Sequence, residues 1–192
     1  MERKVRADAQ RNVDALLAAA RDVFASAGVD APVREIAAQA GVGVGTVYRH
    51  FPQRSDLVVA VFRHEVDACA AEAPVLAQQH PPLEALRRWL LRYTGFVAAK
   101  RGLSAALHSG DPAFEPLPAY FSGHLVPALE GLLEAAAAAG EVANPLSPEE
   151  LLTTLSRLST PDEDYTARVV ELLLAGLRFG ARAGGFVDAT GS

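Results

Sequence analysis

Side chains that can donate hydrogen bonds to bases or phosphates are concentrated in one short stretch of the chain. The sequence VGTVYRH carries four of them within seven residues: Thr46, Tyr48, Arg49 and His50. In a helix, the spacing would turn Val47 away from these polar side chains. A free polar face of this kind either meets base edges and phosphates of DNA or simply faces solvent.

The sequence around this stretch predicts how it is positioned. Residues 33–51 read VREIAAQAGVGVGTVYRHF, which predicts two short helices joined by a tight turn. Gly41 falls where the first helix must end in a left-handed residue. The second helix, Val44–His50, would face Val47 onto the small Ala37. This spacing is typical of a helix-turn-helix, whose second helix enters the major groove of DNA.

We therefore predict that double-stranded DNA is a partner of this chain. Glycines beside the second helix would let its backbone approach the groove, and Val44 could touch a thymine methyl group. Arg34 would either bind a phosphate or pair with Glu35 or Asp30. The contacts predicted from the residues are Arg34, Gly43, Val44, Gly45, Thr46, Tyr48, Arg49 and His50.

The charge of the chain is unevenly distributed. The formal net charge is -5, yet residues 1–65 hold nine Lys/Arg against eight Asp/Glu, and the remainder holds nine against fifteen. DNA binding needs a local basic face rather than a basic protein.

The single cysteine, Cys69, excludes an internal disulfide and fits a reducing cytoplasm. With no signal peptide and no apolar run near ~20 residues, a cytoplasmic protein without membrane contact is expected.

Enzymatic function is disfavoured by the motifs. We find no G-x-S-x-G sequence, no phosphate-binding loop and no metal-ligand spacing, so neither a metal nor a cofactor is expected. The main hypothesis is a DNA-binding transcriptional regulator. The alternative is a helical small-molecule-binding or interaction protein that does not bind an operator. The complete recognition-helix sequence favours the regulator.

The rest of the chain predicts further helices and no strands, so the fold class is all-α. We expect an N-terminal three-helix bundle containing the helix-turn-helix (residues 1–54) and a C-terminal helical domain (residues 55–192). Residues 1–11 are expected to form a loose arm, and Ser147 and Glu150 are expected to cap a helix as a capping box. Predicted helices outside the motif cover residues 12–28, 54–71, 83–100, 103–108, 120–139, 148–158 and 166–183, with a break over 71–82.

The C-terminal half offers candidates for a small-molecule pocket. Its helices carry apolar and aromatic side chains with a few polar groups, which is the usual lining of such sites. The effector would be apolar or aromatic, with Trp89 and Tyr93 as the preferred walls. The alternative is that these are ordinary core residues. The candidates are Phe62, Val66, Trp89, Tyr93, Phe96, Leu107, His108, Phe121, His124 and Leu125.

The last two predicted helices are candidates for a homodimer interface. They carry more apolar residues than an exposed tail would, and Gly176 and Gly180 would allow close helix approach. The alternative is that these residues pack within one subunit. The candidates are Leu152, Leu155, Val169, Leu173, Gly176, Leu177 and Gly180.

Together these motifs resemble the TetR family of bacterial transcriptional regulators. The match is strongest over residues 12–65, through ARDVFASAG, IAAQAGVGVGTVYRHF and RSDL. The resemblance implies an all-helical fold, a homodimer built on the last two helices, and repression relieved by a small molecule. It also implies that Tyr48, His50 and Arg54 contact phosphates. Gln53 departs from the family, which often has Ser or Thr capping the helix that follows.

Overall fold

The computed structural model describes residues 2–143, 146–160 and 162–184. These residues form helices and no strand, which confirms the all-α prediction. The helices are α1 (Glu2–Ala27), α2 (Val33–Gln39), α3 (Val44–His50), α4 (Arg54–Gln79), α5 (Pro82–Gly102), α6 (Ser104–Leu107), α7 (Leu117–Ala138), α8 (Pro148–Leu158) and α9 (Glu163–Gly184), with a 3₁₀ turn at Pro112–Phe114.

The chain divides into two compact units. The first consists of Met1–Glu65 with Ala99–Tyr120, and the second of Val66–Ala98 with Phe121–Ser192. Each unit therefore contains segments that are distant in sequence, and α4, α5 and α7 each contribute to both. The predicted division at residue 54 stays a prediction.

The core of the first unit is formed by apolar residues at helical spacing. Leu16, Ala20 and Phe24 are fully buried along α1, and Ile36 and Val47 are buried on α2 and α3. Because side chains three or four positions apart share a helix face, this stripe of α1 faces the core.

The second unit is built around α5, α7, α8 and α9. Its fully buried side chains include Leu86 and Leu90 of α5, Leu129 of α7 and Leu155 of α8. The predicted capping box of α8 is confirmed: the Ser147 hydroxyl accepts from the Glu150 N–H at 3.2 Å, and the Glu150 carboxylate accepts from the Ser147 N–H at 2.8 Å.

Two predictions of irregular structure were wrong. Residues 2–11 belong to α1 rather than to a loose arm, because they contain good helix formers and no stop signal. Residues 71–79 continue α4 rather than break it, although Pro74 lies inside the helix. Pro74 is exposed, while Cys69 and Ala73 are buried. Burial of that apolar face outweighs the one hydrogen bond that a proline removes.

The starts of two other helices also differ from prediction. Helix α7 begins at Leu117 rather than residue 120, because a proline is tolerated in a first turn and Pro118 lies there. Helix α9 begins at Glu163, where the Asp162 carboxylate accepts from the Tyr165 N–H at 2.9 Å and caps the helix.

None of the helices in the described ranges is long and apolar enough to cross a membrane.

Candidate nucleic-acid interface

The turn of the helix-turn-helix has the predicted geometry. Gly41 adopts a φ of +67°, in the left-handed region. After it the chain folds back, and the N–H of Val42 donates to the carbonyl oxygen of Ala37 at 2.9 Å. No neighbouring atom lies within 4 Å of a Cβ built at Gly41, so its glycine is required by backbone conformation rather than by space.

Helix α3 is oriented by its single buried residue. Val47 is buried, and so are Ile36 and Ala37 of α2, the helix with which α3 makes contact. The opposite face of α3 lies open: Tyr48 is 53% exposed and Val44 is 40% exposed. Gly43, Gly45, Arg49 and His50 are exposed as well, and Thr46 is half-buried.

Gly43 and Gly45 leave the backbone at the start of α3 uncovered by side chains. A Cβ built at Gly45 would have no neighbour within 4 Å, and one built at Gly43 would meet only the Thr46 hydroxyl at 4.0 Å. Neither glycine has a positive φ. Neither packing nor backbone conformation within the chain therefore requires a glycine at these positions, although glycine weakens a helix. The open backbone leaves space for an external molecule to approach.

Basic side chains flank the exposed face of α3. Arg49 lies in the last turn with His50, and its guanidinium is 3.4 Å from the Thr46 hydroxyl. Arg34 is exposed on α2. The residues that the sequence pattern predicts to contact DNA thus lie close together, on α2, on α3 and at the residue just before α3. Their role in DNA binding remains a prediction.

Arg54 is placed differently from the other candidates. It is half-buried, and its guanidinium donates to the carbonyl oxygens of Val29 and Ala31, with 2.6 Å between Nη2 and the Ala31 oxygen. Sequence patterns did not indicate this contact, because its partners lie 25 and 23 residues away. Gln53 immediately precedes α4, and its own N–H donates to the Asp56 carboxylate in the first turn of that helix at 2.9 Å.

A buried carboxylate joins α1 to α4. Glu65 is 5% exposed, and its carboxylate lies 3.2 Å from the guanidinium of Arg21. Arg21 also binds Asp22 at 2.8 Å. The Arg21–Glu65 contact therefore joins α1 to the middle of α4, whereas the contacts of Arg54 join the first residue of α4 to the α1–α2 connection.

Two family models match the chain. Residues 16–61 match bacterial regulatory proteins of the tetR family, and residues 81–179 match the C-terminal domain of SbtR-like transcriptional regulators. A solved TetR transcriptional regulator from Streptomyces coelicolor is 37% identical, with a TM-score of 0.74 over 86% of this chain and 97% of that one. This chain belongs to the TetR family. Its members are transcription regulators rather than enzymes.

Other solved structures agree with the assignment to the TetR family. A TetR transcription regulatory protein from Mycobacterium vanbaalenii is 36% identical, with a TM-score of 0.71 over 91% of this chain and 99% of that one. A gamma-butyrolactone receptor, described as an ArpA-like protein, has the same fold, with 24% identity and a TM-score of 0.62 over 88% of this chain and 90% of that one. The search of curated proteins found no match.

The predicted pocket residues belong to both compact units. Phe62, Leu107 and His108 belong to the first compact unit, and His108 is exposed with its Nδ1 2.8 Å from the Ser104 carbonyl oxygen. The others belong to the second unit, where Val66 and Leu125 are completely buried.

Four of the candidates in the second unit form an aromatic cluster. Trp89 stacks on Tyr93 with ring centroids 5.9 Å apart, and Phe96 and Phe121 extend the cluster at centroid distances of 5.8–6.3 Å. The Trp89 N–H donates to the Cys69 carbonyl at 2.9 Å. Trp89, Tyr93 and Phe96 are at most 1% exposed and Phe121 is half-buried. Their role as pocket walls stays a prediction.

His124 lies at the surface of the second unit. Its Nε2 is 3.8 Å from the Asp67 carboxylate, and both side chains are exposed. The two groups form an ion pair only when His124 is protonated. Within the described part of the chain, no three His, Cys, Asp or Glu side chains are grouped so as to hold a metal ion.

Most of the predicted dimer contacts lie inside the subunit. Leu152, Leu155, Val169 and Leu177 are buried within one chain, and Leu173 is half-buried, so the structure supports the alternative for these side chains. Gly176 is exposed, whereas the surroundings of Gly180 lie outside the described residues.

The apolar side chains that α9 leaves exposed are different ones. Leu172 is 72% exposed, Phe179 is 74% exposed and Tyr165 is 40% exposed. They are spaced seven residues apart and therefore share one helix face with Gly176. The seven-residue spacing was the sequence signal for this stripe. We call Tyr165, Leu172, Gly176 and Phe179 the α9 stripe.

Proposed function

We propose that this TetR-family regulator is a repressor that binds a palindromic operator as a homodimer and releases it when a small molecule binds. The observation that carries the DNA-binding part is the exposed polar face of α3, which is oriented by the buried Val47. Polar side chains on such a face can read base edges while basic neighbours bind phosphates. This activity would be exercised in the cytoplasm, with residues 1–54 as the DNA-binding domain.

The α9 stripe supports the dimer. Leu172 and Phe179 expose large apolar side chains on one face, and Gly176 between them has no neighbour within 4 Å of a built Cβ. A second helix could therefore approach closely at Gly176. A two-fold dimer presents two copies of α3 to half-sites about one DNA turn apart.

Solved proteins of the same fold support the effector part of the proposal. Solved proteins of this fold include ones described as gamma-butyrolactone receptors, so the fold can accommodate a small-molecule receptor. For this chain we propose an apolar or aromatic effector that binds in the C-terminal domain. It would release DNA only if it bound more tightly to the conformation that does not fit the operator.

Selection of DNA by the purified protein tests the central claim. We expect the wild type to enrich palindromic sites from a pool of random duplexes. Arg49→Ala should weaken binding to the selected duplex and lower the slope of log affinity against log salt by about 0.9 for each lost phosphate contact. Arg157→Ala removes the same charge from an exposed position on α8 and should change neither. Absence of enrichment by folded wild-type protein would refute the proposed function.

A further inference from the structure

Arg54 occupies an unusual position for a residue expected to contact phosphate. It is the first residue of α4, and both terminal nitrogens of its guanidinium donate to carbonyls of the α1–α2 connection, those of Val29 and Ala31. These two residues are only 7% and 4% exposed, so their carbonyls have little access to water. The planar guanidinium, with its fixed fork of donors, is suited to joining two such acceptors.

The α1–α2 connection determines where the helix-turn-helix begins. Helix α2 starts at Val33, two residues after Ala31, and it contacts α3. We propose that Arg54 is a positioning residue for α3, the second helix of the helix-turn-helix. Arg54 fixes the α1–α2 connection, and so the direction of α2 and α3, rather than binding a phosphate. This inference rests on the proposed DNA-binding function.

The two roles have different consequences for DNA binding. Loss of a phosphate contact weakens operator and non-operator DNA alike and lowers the salt slope by about 0.9 per contact. A misplaced α3 loses base contacts but keeps its phosphate contacts, so it loses affinity for the operator and keeps the salt slope. The ratio of operator to non-operator affinity therefore distinguishes the two roles.

Arg54→Lys and Arg54→Gln separate charge from geometry. Lysine keeps the positive charge but lacks the planar fork, and glutamine lacks the charge. The DNA probes are the duplex selected by the wild type and a scrambled duplex of the same composition. We expect Arg54→Lys to lower affinity for the selected duplex on the order of tenfold, with the scrambled duplex and the salt slope unchanged. Wild-type binding by Arg54→Lys, together with uniform weakening and a lower slope for Arg54→Gln, would overturn the inference.

Measurements on the free protein make the test independent of DNA. Amides of residues 29–37 should exchange hydrogen faster in both variants than in the wild type, and Arg157→Lys should leave them unchanged. If the wild type selects no DNA, the proposed function fails, whereas faster amide exchange in the Arg54 variants still supports the role of Arg54 in positioning α2. Unchanged amide exchange in these variants would refute that positioning role. A lowered Tm with wild-type affinity in the folded fraction would show a merely structural role and would also overturn the inference.

Discussion

The hydroxyl group of Tyr93 donates to the backbone carbonyl of Leu152 at 3.1 Å, although each residue is only 1% exposed. This bond joins α5 to α8 across 59 residues of sequence. One turn earlier on α5, the indole N–H of Trp89 bonds to the carbonyl of Cys69 on α4. The two aromatic residues thus satisfy their polar atoms inside the protein while their rings fill the core.

Removal of the Tyr93 hydroxyl should destabilise the protein modestly. Tyr93→Phe keeps the ring in the aromatic cluster and loses one buried hydrogen bond, so we expect the free energy of unfolding to fall by about 1 kcal/mol. Urea denaturation can be followed by the fluorescence of Trp89, the single tryptophan. Tyr48→Phe, at an exposed position, is the control and should change stability by less than about 0.5 kcal/mol. Equal or greater stability of Tyr93→Phe would contradict the prediction.

Tyr93 should also make stability depend on alkaline pH. Burial raises the pKa of the Tyr93 hydroxyl above its ordinary value. In the unfolded chain the same group ionises near pH 10, as ordinary tyrosines do. Because the folded-state pKa is the higher one, the contribution of Tyr93 is complete below about pH 10 and is lost as the pH rises further. The stability difference between wild type and Tyr93→Phe should therefore shrink above pH 10 and stay constant below it. A difference that does not change between pH 8 and 11 would exclude this linkage.

Features that depend on neighbours in the sequence could be predicted from the sequence. The left-handed Gly41, the bounds of α3 and the capping box of Ser147 and Glu150 agree with prediction. Each depends on a residue type at a fixed offset, and the hydrogen bonds involved span only a few residues. The exposed α3 face followed from the same local pattern, since Val47 alone is apolar and buried there.

Features that depend on distant partners could not be predicted. The acceptors of Arg54 lie on a loop more than 20 residues away, and a motif that marks its position as a phosphate contact says nothing of them. On α9 the apolar pattern covers two faces, and the sequence alone does not show which face packs inside the subunit. Burial resolves this: Leu177 lies inside, whereas Phe179 faces outward.

Substitution at Gly45 should separate stability from DNA binding. Gly45→Ala adds a methyl group that would face open space, and alanine favours a helix by up to about 1 kcal/mol over glycine. We expect equal or greater stability of the free protein but weaker operator binding, because the methyl group would occupy the space left open for DNA. Gel shifts and urea denaturation measure the two quantities. Unchanged operator affinity would show that this part of α3 does not approach DNA closely.

Gly41 provides the contrasting case on the same motif. Gly41→Ala also meets no neighbouring atom, but it forces a residue with a Cβ into a φ of +67°. We expect a loss of about 1–2 kcal/mol in the free energy of unfolding, from backbone strain alone. Urea denaturation alongside Gly45→Ala provides the comparison. If Gly41→Ala and Gly45→Ala were equally stable, backbone strain at the turn would not explain why position 41 is a glycine.

The α9 stripe should determine the oligomeric state. In Leu172→Glu/Phe179→Glu, two side chains that are more than 70% exposed in a single chain become charged. The fold of the subunit should be retained, because these side chains take little part in its core, while burial of two carboxylates against a second copy would be unfavourable. We expect the wild type to be a dimer and the variant a monomer by light scattering at micromolar concentration, with far-ultraviolet circular dichroism unchanged. Val75→Glu, at an exposed apolar position on α4, is the matched control and should remain dimeric.

The double variant Leu172→Glu/Phe179→Glu should also lose affinity for a duplex with two half-sites and keep its weak affinity for a single half-site, because joint binding of the two half-sites depends on the dimer. A dimeric double variant would place the interface elsewhere, and a monomeric wild type would refute the proposed homodimer.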